Sequence, residues 1–172
     1  MEKLNWITTF LPRFQKCAAQ LDRDLFAQQH LEYKAGNWLR SVVLKFQSPS
    51  WINNSLKAKP FNESVFFGIW VNEESVQQGK LHYNIHALKL RELTGYKVKS
   101  KEFADKFRAR FKRFEKQWPN VRTDLGPLTL MQGWVHFDEN NLEALIKTLS
   151  NQFLEIAFII DDLLMERRKM NL

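Results

Sequence analysis

With a single cysteine, Cys17, the 172-residue chain can form no internal disulfide and no cysteine-based zinc site. It also lacks any long apolar run. The most apolar stretch, Phe153 to Met165, is broken by Glu155, Asp161 and Asp162 and is too short to span a bilayer. Met1 to Trp6 carries no apolar core of a secretory signal. Glycine and proline number six and five, and they build no low-complexity tract, linker or repeat. These absences point to one soluble globular domain over residues 1–172, expected in a reducing, cytoplasmic setting.

What is present is aromatic and basic. Apolar residues make up 44% and aromatics 13%, which excludes general disorder. Positive charge is concentrated. Between Lys80 and Arg122 stand thirteen Lys and Arg against four acidic residues, a net +9, while the rest of the chain nets −2. A localised positive field is a footprint for a polyanion, whereas evenly spread lysine mainly keeps a protein in solution.

Periodicity gives the elements. Leu4, Ile7, Leu11, Phe14, Ala18, Leu21 and Leu25 recur at spacings of three and four, the stripe of a long amphipathic helix reaching towards His30. Pro12 interrupts it, so the helix either begins near Thr8 or Thr9 or kinks there. Gly36 is expected to mark a turn into a strand over residues 37–46. A loop over 47–62 leads to residues 65–71, apolar on both faces and so read as a central strand covered on both sides. Residues 81–90 alternate, but the parity changes after Ala87. A β-bulge there is expected to keep Lys80, His82, Asn84, His86, Lys89 and Arg91 on one face. Ser100 is expected to cap a helix over 101–117, with Phe103, Phe107, Phe111 and Phe114 inside and Lys106, Arg110, Lys112 and Arg113 outside. A strand over 128–137 and a helix over about 139–168 complete the chain. The predicted fold class is α+β, a mixed α/β arrangement in the order α-β-β-β-α-β-α. It has a central, mostly antiparallel sheet of about four strands, packed on both faces by long N- and C-terminal helices. The helical crossover before the last strand permits a parallel pairing there.

Several residue groups invite a chemical reading. His82 and His86 stand four apart on a strand, about 13 Å at roughly 3.3 Å per residue, too far to share one tetrahedral ion. Neither has an acid or nucleophile beside it in sequence, so no catalytic residue and no metal ligand is assigned. Trp51, near Lys57 and Lys59, has the composition of a base-stacking loop, but a tryptophan folded back over the sheet is favoured. Glu155, Asp161 and Asp162 interrupt a helix that is apolar nearly all round, and pairing or an interface rim explains them more simply than catalysis. Cys17 lies beside the first helical stripe and is read as core.

The order α-β-β-β-α-β resembles the core of the restriction-endonuclease-like nucleases over roughly residues 4–137. The resemblance implies Mg²⁺ held by an Asp on the second strand and by an acidic residue two positions before a Lys on the third. Here Lys89 is preceded at that spacing by Ala87, and the carboxylates nearest the second strand are Glu63 before it and Glu73 and Glu74 after it. The expectation is therefore a non-catalytic binding protein without a cofactor. Its 80–122 face would take nucleic acid or another polyanion through Lys80, His82, His86, Lys89, Arg91, Lys106, Arg110 and Arg113. The alternatives are a homodimeric structural or protein-interaction module joined through residues 153–164, and a divergent restriction-endonuclease-like nuclease with displaced metal ligands.

Overall fold

Strand after strand in this chain places one set of side chains in a core and the other set on an uncovered surface. The computed structural model describes residues 5–53 and 59–169. Its sheet has five strands, β1 (Glu32–Trp38), β2 (Ser41–Gln47), β3 (Ser64–Val71), β4 (Lys80–Leu88) and β5 (Thr129–His136). They lie side by side in chain order and every pairing is antiparallel. The parallel pairing that the crossover permits does not occur. The fifth strand beyond the expected four arises because residues 32–47 form a hairpin rather than an approach and one strand. Its turn is Leu39 and Arg40, both left-handed at φ 48° and 62°, while Gly36 sits inside β1.

The helices are α1 (Asn5–Gln20), α2 (Arg23–Gln28), α3 (Glu73–Gln78), α4 (Ser100–Phe111) and α5 (Leu142–Glu166). Helix α1 runs through Pro12 and buries Phe10, Phe14 and Cys17. The expected continuation to His30 is broken by Asp22, whose carboxylate accepts from the backbone N–H of Asp24 and Leu25 and so starts α2. Helix α4 tightens into a 3₁₀ turn over Lys112–Gln117, and Ser100 is its first residue rather than its cap.

Helices α1, α2, α4 and α5 all bury side chains in one cluster, together with Leu44 and Phe46 of β2, Phe67 and Ile69 of β3, and Leu81 and Tyr83 of β4. The stacked rings of Phe67 and Phe153, 4.3 Å apart, lie at its centre and tie the sheet to α5. Each such fully buried ring stabilises the fold by about 1.5–3 kcal/mol. Trp51 is fully buried as well, and its indole N–H donates to Asp161 Oδ1 at 2.7 Å, so the folded-back reading is the correct one. Beside this hydrogen bond, burial pushes the Asp161 carboxyl up from its usual range.

Among the described residues the architecture is thus two-layered, with this core on one face of the sheet. The expected helical cover on both faces is a misreading of β3. Phe66 on the other face is buried to 5% exposure, yet it lies outside the core cluster and is covered by neighbouring strand side chains.

Candidate functional site

The face that no core helix covers is organised in rows by strand register. One row runs Gly36, Val43, Trp70, His82, Trp134 across all five strands. Trp38 folds back above Gly36, where a Cβ would stand only 3.0 Å from its ring. Trp70 and His82 are stacked, with ring centres 4.4 Å apart and planes 14° from parallel. Lys80 Nζ lies 4.4 Å over the Trp134 ring, whose other neighbour is His136, edge-on at 4.9 Å. The next row runs Lys34, Lys45, Gly68, Asn84, Gln132, and is polar. Between β2, β3 and β4 these side chains enclose an open groove of about 480 Å³, walled by Trp38, Phe66 and Trp70.

Lys45 is the unusual charge on this face. Only 7% of it is exposed, and its ammonium lies 4.4 Å from the Trp38 ring centre and 4.7 Å from that of Phe66. Two of its protons go to the Phe61 carbonyl at 3.0 Å and Asn62 Oδ1 at 2.9 Å. Burial lowers its pKa to about 8. Burial likewise draws His82 below its ordinary value, helped by the nearby Lys80, and His86 too, with Lys45 adding to the effect. Both shifts favour the neutral imidazole, a flat, weakly polar ring.

Of the residues expected to form a basic face, the sheet brings together Lys80, His82 and His86. It does not bring the others to them. Strand β4 ends at Leu88, and the parity change there comes from Lys89, which is left-handed at φ 55° and starts a 3₁₀ turn. The only irregularity in the β4–β5 ladder lies between Ile85 and His86, where Leu130 of β5 is the extra residue. Lys89 pairs with Glu63 at 3.4 Å, and Arg91 is exposed on the turn. Lys106, Arg110 and Arg113 belong to the helical layer on the opposite side of the sheet. Lys106 meets Glu102 at 3.3 Å and Glu166 at 3.8 Å, Arg110 pairs with Glu166, and Arg113 covers the Phe114 ring at 4.7 Å. Arg108 donates to the carbonyls of Leu125, Gly126, Thr129 and Leu130, so it holds a loop in place. Much of the +9 is spent within the fold.

Sequence reasoning overlooked Trp38, Lys45, Phe66, Trp70 and Trp134. Their signal was present as bulky residues at every second strand position opposite the core set. It was masked because two-sided apolar strands were assigned helices on both sides.

The alternative sites fare differently. The apolar girth of α5 is largely covered by its own chain, since Phe153, Ile156, Ile159, Ile160, Leu163 and Leu164 are all buried. Phe158 and Met165 remain as large exposed apolar residues on this helix. For a displaced nuclease centre, Glu63 is engaged by Lys89, and Glu73 and Glu74 occupy the first turn of α3. Among the described residues no three His, Cys, Asp or Glu side chains gather into a metal-binding cluster, and no helix is long and apolar enough to cross a membrane. No family model, curated protein or solved structure matches the chain.

Proposed function

We propose that the uncovered sheet face binds single-stranded nucleic acid, with bases stacking on the aromatic row and lysines meeting the phosphates. The observation that carries this reading is the cross-strand row in which Trp70, His82 and Trp134 follow Val43 and Gly36, with the Trp38 ring folded over Gly36, beside a polar row containing Lys45. Five strands about 4.8 Å apart make the row about 19 Å long. Every base presents a π-face to such a row, and stacking contributes about 1–3 kcal/mol per base. A duplex hides those faces, so single strands are preferred.

The charge inventory sets the expected salt response. Among the described residues, Lys34, Lys45 and Lys80 are the lysines on this face. Three phosphate contacts on a single strand give a log–log salt slope of about −2, whereas a ligand engaging most of the 80–122 cations would show a slope several times steeper. The test is a titration of a labelled nine-nucleotide RNA and the matching duplex at several salt concentrations, with about that probe length set by a one-domain footprint. Binding of the single strand with a shallow slope, weakened about tenfold or more by Trp134→Ala or Trp70→Ala, supports the reading. No binding at low salt removes it. A homodimer through residues 153–164 is the weaker reading, because Phe158 is the one large apolar side chain left exposed in that range among the described residues. Light scattering at micromolar concentration tests it directly.

A further inference from the structure

At the centre of the polar row stands Gly68, an unusual residue for the middle of a central strand, where it weakens the strand and marks a close approach. A Cβ there would stand tight against Asn84 Oδ1 at 3.3 Å and in ordinary contact with Val43 Cγ1 at 3.5 Å. Gly68 therefore lets the Asn84 amide lie down on the floor of the 480 Å³ groove. Asn84 is only 5% exposed as a residue, its side chain makes no hydrogen bond with any described residue, and its amide opens onto the groove rather than being sealed from water. An amide offers two donors and an acceptor with two lone pairs, and a ligand that covers such a group without pairing it costs about 1–3 kcal/mol. Lys45, on the other side of Gly68, uses two of its three N–H groups on protein oxygens and keeps one.

These features restrict what the groove can hold. An aliphatic chain would leave the Asn84 amide without a partner, and a simple anion would find only one charge. A flat ring with a mixed donor–acceptor edge satisfies both the aromatic walls and the amide, and about 300–1,000 Å³ is the usual range of small-ligand sites. We propose that the groove floored by Gly68 is a subsite for one unpaired nucleobase, its edge read by the Asn84 amide and its plane against the tryptophan walls. This deepens the single-strand reading and rests on it: the aromatic row supplies base-tolerant affinity, and the subsite supplies preference.

The experiment measures binding of the adenine, cytosine and uracil homopolymer RNAs to the wild type, Asn84→Ala, Asn84→Asp, Gly68→Val and Trp134→Ala, each checked for folding by thermal melting. The wild type is expected to favour one homopolymer by about fivefold or more, the discrimination of one good edge contact. Asn84→Ala and Gly68→Val flatten that preference to within about twofold. Asn84→Asp, nearly isosteric and acceptor-only, shifts it towards cytosine, whose amino group donates. Trp134→Ala weakens all three homopolymers and leaves their order intact. Equal binding of the three by the wild type, or a preference unchanged in both Asn84 variants, overturns the subsite while binding to the face still stands. Absence of any binding by the wild type overturns the face and the subsite together.

Discussion

An ammonium group enclosed by Trp38 and Phe66 has little water to solvate it, which is why burial brings the pKa of Lys45 down to about 8. The unfolded chain keeps that proton up to the ordinary lysine value of 10.5. Between the two values the unfolded state binds more protons than the folded one, so stability rises with pH. Below pH 8 both states are charged and the desolvation penalty is fully present. Lys45→Met abolishes this titration. The unfolding free energy of the wild type minus that of the variant is therefore expected to climb by up to ~3 kcal/mol between pH 8 and 10.5, read from urea midpoints. A difference that stays flat contradicts it. Gly133 imposes a steric constraint instead. It pairs with Tyr83, and a Cβ there would overlap the phenol oxygen and stand 3.0 Å from the Pro119 carbonyl. Tyr83 is fully buried and donates to that same carbonyl at 2.6 Å, so it cannot withdraw. Gly133→Ala is expected to destabilise the fold by about 2–3 kcal/mol, measured by denaturant titration, and an unchanged midpoint counts against this packing.

The β1–β2 hairpin is the element whose sequence speaks least for its structure. Two-residue hairpin turns favour Asn-Gly because both positions are left-handed. Here they are Leu39, wholly exposed, and Arg40. Each such residue outside glycine carries strain on the order of 1 kcal/mol. Replacing the pair by Asn-Gly is expected to raise stability by about 1–2 kcal/mol in thermal melts. A lower midpoint would mean that the Leu39 tip makes contacts worth more than the strain. The same turn explains why the hairpin escapes prediction: nothing at 39–40 signals it, and Gly36, which does look like a breaker, is needed under the Trp38 ring. Elements with a one-sided pattern are legible. Phe103, Phe107 and Phe111 define α4 because burial selects one stripe, and residues 65–71 define β3 because a central strand is apolar throughout. Element ends are less so. Asp22 ends one helical stretch by capping the next, and Lys89 ends β4 by turning left-handed, neither of which alters the apolar pattern.

At the scale of the molecule, the two layers separate charge from aromatic surface. The sequence places Lys80 and Arg113 in one basic segment, but β4 shows alternate side chains to opposite sides of the sheet, and α4 packs on the core side. Three of the eight expected contact residues therefore share the candidate face, and the aromatic partners come from strands distant in sequence, where local charge counts cannot find them. Substituting Lys106, Arg110 and Arg113 together by alanine is expected to leave single-strand affinity within about twofold, since none touches the aromatic row. A tenfold loss would move the binding surface to the helical layer. The layering also divides the tryptophans. Trp38, Trp70 and Trp134 stand on the groove side, whereas Trp51 and Trp118 are enclosed at 0% and 3% exposure. Five of the six tryptophans thus fall into two optical populations, one emitting from a wet surface and one from a dry interior, and substituting the half-buried Trp6 of α1 removes the sixth signal. A small neutral quencher reaches the first and spares the second, so occupancy of the groove and opening of the core leave separate marks in one emission spectrum.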